Sequence, residues 1–188
     1  MEKLSDKICV EKVLNGETEH FACLLKKYSK QVFSLIVQVV GNREDAEELT
    51  QDVFVKVYSS LARFRGESCL STWIYRIAYN QAISAVRKST VQFMTIDEQV
   101  LAGLPDDVDE EAFGASDKER RIHFLQNALE MLPPDERALI TLFYKDNLSM
   151  EEIALITKLT VTNVKTKICR IRKKLFVLIK KMEDEENG

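Results

Sequence analysis

Residues 148–176 read LSMEEIALITKLTVTNVKTKICRIRKKLF, and this stretch decides the fold of the C-terminal part of the chain. Ser149 and Glu152 have the spacing of a capping box, so a short helix is predicted to begin here and to end near Thr157. A three-residue turn beginning at Lys158 separates it from a second, longer helix. A short helix, a tight turn and a longer helix together predict a helix-turn-helix.

The longer helix has one apolar face and one basic face. The stripe expected to be buried is Val161, Val164, Ile168, Ile171, Leu175 and Leu178. The opposite face carries Thr162, Asn163, Lys165, Thr166, Lys167 and Arg170, with Arg172, Lys173 and Lys174 beyond. Such a helix fits the major groove of DNA, where short polar side chains near its start meet base edges and Lys and Arg meet phosphates. A lysine-rich face can also be merely solvated, but the capped first helix and the turn agree with DNA binding.

Charge is unevenly distributed along the 188 residues, whose net charge is −3. Residues 1–92 carry 13 basic and 11 acidic side chains, residues 93–118 carry 1 and 8, and residues 119–182 carry 13 and 7. A basic C-terminal unit behind an acidic spacer indicates a polyanionic partner for that unit. We therefore predict two small helical domains, 1–92 and 119–182, an acidic flexible linker at 93–118 and an acidic tail at 183–188.

The whole chain is predicted to be all-α. A short helix from Leu4 to Leu14 precedes a longer amphipathic helix that Gly41 ends, and Asn42 caps a third. The third helix turns Ala46, Leu49, Val53, Val57 and Leu61 inward, and its outer face opens with Glu44, Asp45, Glu47, Glu48 and Asp52. A fourth helix begins at Ser71 or Thr72, after a loop at 64–70. Helical periodicity resumes at Ile122, Leu125, Leu129 and Leu132.

Composition argues against several classes of protein. No apolar run approaches the roughly 20 residues that span a bilayer, and the first residues lack a signal-peptide core, so we expect a cytosolic protein that does not insert into membranes. The four cysteines are scattered and only two histidines are present. We therefore expect no metal site and no disulfide. We also expect no cofactor and no catalytic residue.

Three motifs, in this order, resemble the extracytoplasmic-function (ECF) sigma factors of bacterial RNA polymerase. DAEELTQDVF at 45–54 is similar to the helix that docks on the polymerase clamp. STWIYRIAYN at 71–80, with its preceding loop, is similar to the element that opens and reads the minus-ten element. Residues 148–175 resemble the helix-turn-helix that reads the minus-thirty-five element. The resemblance covers nearly the whole chain.

The resemblance implies three sets of binding residues. Polymerase would be bound by Asp45, Glu47, Glu48, Gln51 and Asp52. The minus-ten element would be bound by Phe64, Arg65, Ser71, Thr72, Arg76, Asn80, Arg87 and Lys88. The minus-thirty-five element would be bound by Thr162, Asn163, Lys165, Thr166, Lys167, Arg170 and Lys173.

The chemistry of these residues agrees with the resemblance. Five carboxylates on one helix face exceed what the helix dipole needs, which indicates a basic protein partner. Melted DNA offers unstacked bases that proteins hold by stacking and by amide hydrogen bonds, so Asn80 and the loop at 64–70 are assigned to base capture. Arg76, Arg87 and Lys88 are assigned to the DNA backbone, and Trp73 to the core.

The family further implies a two-domain initiation factor that performs no catalysis. Its partners would be core RNA polymerase, promoter DNA and an anti-sigma factor, often membrane-anchored, that covers the two binding faces. The chain departs from the family at Lys158, where the turn often has glycine. It also lacks the extra regions of a housekeeping sigma factor.

Two alternatives remain open at the level of sequence. A stand-alone helix-turn-helix regulator would not need the acidic helix and would usually contain a dimer contact. An enzyme would use Glu44 to Asp52 as a metal-binding cluster, although a helix spaces these carboxylates outward and no His accompanies them. Co-purification with core polymerase separates the three functions.

Overall fold

The computed structural model describes residues 5–87, 101–105 and 118–187, and the regular elements within these ranges are helices. In chain order they are α1 (Asp6–Leu14), α2 (Phe21–Val40), α3 (Arg43–Ser60), α4 (Leu70–Arg87), α5 (Lys118–Met131), α6 (Pro134–Ile140), α7 (Met150–Thr157) and α8 (Val161–Asn187). Short 3-10 turns occupy Thr18–His20 and Leu61–Arg63, and a π-helical segment, Thr141–Lys145, continues α6. The predicted all-α class is confirmed.

The N-terminal unit is built around α2. This helix buries one face, made of Leu24, Tyr28, Val32, Leu35, Ile36 and Val39, against α3 and α4. Gly41 ends it with a φ of +77°, a left-handed conformation that glycine adopts without steric cost. Asn42 then accepts hydrogen bonds from the backbone N–H groups of Glu44 and Asp45, at 2.8 and 3.2 Å. Both predicted boundaries are confirmed.

The inward face of α3 is close to the predicted one. Ala46, Val53, Val57 and Leu61 are buried, whereas Leu49 is only half-buried. Phe54, which the predicted stripe omits, is buried as well. The acidic residues are thereby directed to solvent.

The helix predicted from the periodicity at 122–132 forms as α5, but not all of its periodic apolar residues are buried. Ile122 and Leu125 are 47% and 41% exposed, whereas Phe124, Ala128 and Leu132 are buried. The neighbour that decides the buried face is α8, which α5 contacts. The buried residues Phe124, Ala128 and Leu132 are spaced by four, and they form the face that is turned toward α8.

The helix-turn-helix forms as predicted. Ser149 Oγ accepts from the backbone N–H of Glu152 at 3.2 Å, and the Ser149 N–H donates to Glu152 Oε2 at 2.9 Å, which completes the capping box. Lys158 ends α7 with a φ of +63°, so the turn keeps a left-handed residue although a lysine stands there. Thr160 Oγ1 accepts from the N–H of Asn163 at 3.2 Å and starts α8.

The expected burial of Val161 at the start of α8 is wrong. Val161 is 41% exposed because it is the first helical residue and precedes the part of α8 that meets its neighbours, while the rest of the stripe is buried. The helix also runs on to Asn187, so residues 183–187 of the predicted tail are helical. Arg120 holds this end through an ion pair of 2.8 Å with Glu186.

The N-terminal and C-terminal units contact each other. Helices α2 and α4 pack against α6 and α7, and the buried side chains of both units form one hydrophobic cluster. The predicted domain boundaries stay a prediction, and most of the 93–118 linker lies outside the described residues. Within the described ranges, no helix combines the length and the apolar character needed to cross a bilayer.

Replacing Lys158 with glycine should raise the free energy of unfolding by about 1 kcal/mol. The left-handed conformation costs a residue with a Cβ roughly 1–2 kcal/mol, and glycine avoids this strain. Part of the gain in stability is lost, because glycine makes the unfolded chain more flexible. Lys158→Ala keeps the Cβ and should bring no gain. Urea denaturation of the three proteins measures the difference, and equal values for both variants would contradict a strained turn.

Candidate functional site

The acidic face of α3 is fully displayed. Its polar side chains are all exposed: Glu44, Asp45, Glu47, Glu48, Gln51 and Asp52. Glu47 forms an ion pair of 3.0 Å with Arg43, one turn earlier on the same helix. The structure therefore presents the residues predicted to bind polymerase together on one surface, as a local excess of negative charge.

Part of this acidic face borders a groove between the two units. Asp45, Glu48 and Asp52 line one wall, together with Ala85 and Val86 of α4. Glu130 and Arg137 of the C-terminal unit line the other. The acidic surface and the C-terminal unit are thus neighbours.

A basic cleft with aromatic walls lies between the 61–68 segment and α4. Its lining includes residues predicted to bind the minus-ten element, namely Phe64, Arg65, Thr72 and Arg76, and also Arg63 and Trp73. The ring centroids of Phe64 and Trp73 lie 5.4 Å apart. Trp73 is 9% exposed, as expected of a core residue. Guanidinium groups beside an aromatic surface suit a nucleic-acid strand, because they pair with phosphates while bases stack.

The other residues predicted for the minus-ten element differ in exposure. Asn80 is exposed, one turn beyond Arg76 on α4, and Arg87 is exposed at the end of that helix. Ser71 is half-buried. Thr72 is only 4% exposed, so it meets DNA only if the conformation changes. Lys88 lies outside the described residues.

The start of α8 presents most of the residues predicted to bind the minus-thirty-five element. Thr162, Asn163, Lys165, Thr166 and Arg170 are exposed. The Thr166 hydroxyl donates to the backbone carbonyl of Thr162 at 3.0 Å. This face therefore has the composition expected of a recognition helix.

Lys167 and Lys173 depart from that picture. Lys167 is half-buried, and its Nζ atom lies 3.4 Å from Oδ2 of Asp135 on α6. Lys173 is 8% exposed, and its position does not support DNA contact in this conformation. The reason is that α8 becomes enclosed beyond its first three turns, where Ile171 and Leu175 are buried as well.

Polar contacts that the sequence patterns did not reveal join the two units. The Tyr75 side chain of α4 lies close to the carboxylate of Asp146, and burial, followed by the Asp146 charge, raises the pKa of Tyr75. Burial also raises the pKa of Asp146, against the opposing effects of the Tyr75 hydrogen bond and of Lys145. Arg137 Nη2 donates to the backbone carbonyl of Val39 at 3.3 Å, and burial lowers the pKa of Arg137.

One cluster of potential metal ligands occurs in the part of the chain that the structure describes. The ligand atoms of Glu17, Glu19 and His20 lie within 4.8 Å of one another. Both carboxylates are exposed, and Lys12 already forms an ion pair of 3.0 Å with Glu17. We assign no metal site to this turn.

Two family models match the chain. Residues 24–91 match the model described as Sigma-70 region 2, and residues 125–175 match the model described as Sigma-70, region 4. The chain is 35% identical over 179 residues to the ECF RNA polymerase sigma-E factor of Escherichia coli (strain K12), which covers 91% of this chain and 92% of that protein. It is 32% identical over 176 residues to the RNA polymerase sigma-H factor of Pseudomonas aeruginosa, covering 89% and 90%.

Solved structures with the same fold include two complexes. CnrH in complex with the cytosolic domain of CnrY matches with a TM-score of 0.66 and 20% identity, over 93% of this chain and 97% of that chain. The sigma factor RpoE in complex with the anti-sigma factor NepR from Bartonella quintana matches with a TM-score of 0.60 and 22% identity, over 90% and 98%. At these identities the likeness shows the fold.

The Tyr75–Asp146 contact predicts an alkaline loss of stability. Because the pKa of Tyr75 is raised in the folded protein, the unfolded chain releases its proton first, near the ordinary value of about 10. Stability that is present below that pH is lost as the pH rises toward the raised pKa. Tyr28, whose pKa is raised to about 12 by burial and by its hydrogen bond to Asp6, acts in the same direction.

Tyr75→Phe should therefore make the free energy of unfolding fall less between about pH 8 and about pH 11. Denaturant unfolding at both pH values measures this, with Tyr144→Phe, whose side chain is 57% exposed, as the matched control. An equal fall in wild type and Tyr75→Phe would show that ionisation of Tyr75 does not cause the alkaline loss of stability.

Proposed function

Because the chain belongs to the ECF sigma factors of RNA polymerase, we propose that its acidic α3 face docks on the core enzyme and that α4 and α8 recognise promoter DNA. Membership of this family makes the protein a transcription initiation factor that directs promoter-specific transcription, and not an enzyme. The observation that carries the residue-level proposal is that α3 buries Ala46, Val53, Phe54 and Val57, while the six polar side chains of its acidic face stay at the surface.

Docking through α3 follows from charge and rigidity. The carboxylates of Asp45, Glu48 and Asp52 project from a helix whose N-terminus Asn42 caps and whose opposite face is buried, so they are held in place before a partner arrives. A surface of one charge steers a partner of the opposite charge and fixes its register. The expected partner surface is a basic element of core polymerase.

Promoter opening is assigned to the basic cleft and to the exposed face of α4. Arg65 and Arg76 would hold the backbone of the separated strand, and Phe64 offers a ring on which a base can stack. Asn80, one turn along the same face as Arg76, would read a base edge through its amide. Polymerase itself performs the chemistry of RNA synthesis.

Upstream recognition is assigned to the first turns of α8. Thr162, Asn163 and Thr166 are short polar side chains at the exposed start of the helix, where a helix-turn-helix meets base edges. Lys165 and Arg170 lie on the same surface and are assigned to phosphates.

Control by an anti-sigma factor is part of the proposal. Both structural neighbours above were solved as complexes, one with the cytosolic domain of CnrY and one with the anti-sigma factor NepR. An anti-sigma factor of this protein would cover the α3 and α4 surfaces, and a membrane-anchored one would act from the membrane on a cytoplasmic target. The cytoplasm is where promoter DNA and polymerase are found, so we assign the protein to that compartment.

The double variant Glu48→Lys with Asp52→Lys should abolish co-purification with core polymerase. Both side chains are exposed, so reversing their charge costs little folding stability while it repels a basic partner. The control is Glu11→Lys with Glu19→Lys, which makes the same change in net charge at exposed positions outside α3. Unchanged co-purification of the α3 variant would refute the docking assignment.

Substitutions along α8 should distinguish contacts with DNA phosphates from contacts with base edges. Arg170→Ala should weaken binding to all sequences alike and lower the salt slope by about one, as expected for a phosphate contact. Thr166→Ala or Lys167→Ala should cost roughly 1–3 kcal/mol and relax preference at one base pair.

The measurement uses the full-length protein in holoenzyme, single-base variants of a mapped upstream element, and two salt concentrations. Should neither Thr166→Ala nor Lys167→Ala alter discrimination at any base pair, this helix would not be the reader.

A further inference from the structure

We propose that Cys9 and Cys23 are a redox-sensitive thiol pair, which a peroxide converts into a reversible disulfide that joins α1 to α2. All four cysteines of the chain carry free thiols in this structure, which therefore represents the reduced state. The chemistry of the pair is independent of the proposed function, because both thiols lie outside the surfaces assigned to polymerase and to DNA.

A polar anchor between α1 and α2 fixes the position of the pair. Asp6, the first residue of α1, accepts hydrogen bonds from Lys27 Nζ at 2.6 Å and from the Tyr28 hydroxyl at 2.5 Å. A short connection joins the end of α1 to the start of α2, so the two helices run in opposite directions from this anchor. Toward the connection, Cys9 lies three residues along α1 from Asp6, and Cys23 lies four residues back along α2 from Lys27.

These spacings bring the two cysteines to a similar level and to facing sides of the helices. Residues three and four apart share one face of a helix, at about 1.5 Å of rise per residue, so Cys9 shares the face of Asp6 and Cys23 shares the face of Lys27. Helix α1 packs on α2 with Cα atoms of the two helices within 8 Å of one another. A disulfide joins Cα atoms that lie about 4.4–6.8 Å apart, so the bond requires at most a small shift of α1.

The surroundings of Cys9 reflect the same proximity. Burial raises the pKa of the Cys9 thiol, and the neighbouring Cys23 thiol raises it further. Asp6 acts in the same direction and Lys27 in the opposite one, so these four side chains form one cluster between α1 and α2. Cys9 is only 2% exposed, whereas Cys23 is half-buried. A dissolved oxidant therefore reaches Cys23 first.

Oxidation of the pair proceeds in two steps that consume one peroxide. The Cys23 thiolate attacks an oxygen of hydrogen peroxide, the O–O bond breaks, and a Cys23 sulfenic acid and water are formed. The Cys9 sulfur then attacks the Cys23 sulfur, which forms the S–S bond and releases the hydroxyl group, with the Cys9 proton, as water. The two thiols lose two electrons and two protons in total, and the peroxide becomes two molecules of water. A thiol reductant reverses the bond by exchange, as suits a transient disulfide in a reducing compartment.

The disulfide would stabilise the N-terminal unit. It closes the chain between Cys9 and Cys23, which lowers the conformational entropy of the unfolded state. Helix α1 also contacts the 3-10 turn Leu61–Arg63, and Arg63 lines the basic cleft beside α4. Fastening α1 to α2 therefore also supports the segment that leads into this cleft. Sequence spacing did not reveal the pair, because the packing of α1 on α2 brings the two thiols together.

Peptide mapping of the full-length protein identifies the bond. Hydrogen peroxide is added in small molar excess, and the remaining thiols are then alkylated in denaturant, so that the buried Cys9 is reached. Trypsin cleaves after Lys12, between the two cysteines. The expected product joins peptides 8–12 and 13–26, is two hydrogens lighter than the two peptides together, and disappears after reduction with dithiothreitol.

Two variants and one internal marker control the mapping. Cys23→Ser should abolish the linked product, whereas Cys169→Ser, which changes another half-buried cysteine, should leave it unchanged. The exposed Cys69 shows that peroxide has acted. Recovery of alkylated Cys9, or of Cys9 linked to another cysteine, from protein whose Cys69 is oxidised would overturn the proposal.

Thermal unfolding tests the stabilisation. Oxidised wild type should unfold at a temperature about 5 °C or more above that of the reduced protein, because the bond restricts the unfolded chain. Each variant is compared with its own reduced form, so any loss of stability from the substitution itself cancels. Cys169→Ser should keep the shift and Cys23→Ser should lose it. An equal shift in Cys23→Ser would assign the effect to other oxidised side chains, and linked wild type without a shift would overturn the stabilising role.

Discussion

The burial of α2 is the constraint on which the rest of the structure depends. Its 20 residues run through the N-terminal unit, and its apolar face packs against α3 and α4, while α6 approaches it from the C-terminal unit. Because α3 and α4 bury their inward faces in this contact, their polar faces point outward, and these are the surfaces that are proposed to bind polymerase and promoter DNA. The carboxylates of α3 and the guanidinium groups around α4 are displayed because α2 has taken the other side of each helix.

In the C-terminal unit, exposed and enclosed surfaces are arranged along a single helix, α8. Apart from α8, its helices are shorter than α2, α3 and α4, and α8 combines structural support with the proposed reading of DNA. The first turns of α8 are exposed, and the later ones are enclosed by α5, α6 and α7. Ion pairs such as Lys174–Glu136, at 2.6 Å, hold α8 against α6 at its enclosed part. Recognition and structural support are therefore separated along one helix rather than between helices.

The sequence predicted the features that depend on near neighbours in the chain. The Ser149–Glu152 capping box, the Gly41 stop and the Asn42 cap are set by residues within one turn of each other, and each forms as predicted. The burial of Val161 was predicted wrongly, and the periodic residues Ile122 and Leu125 are exposed, because periodicity finds an apolar face but does not say which neighbour will cover it. The burial of the polar residues Lys173 and Tyr75 was likewise not predicted, because the residues around them come from distant segments of the chain.

The dimensions of α8 have a mechanical consequence. A helix of 27 residues is about 40 Å long and behaves as a rigid rod, with the DNA-reading turns at one end and Glu186 at the other. The Arg120–Glu186 ion pair joins the far end of this rod to α5, so α5 holds α8 near the end opposite the turns that are proposed to read DNA. Because the helix is rigid, a rotation of α5 that moves this end of α8 would move the proposed reading turns at the other end as well.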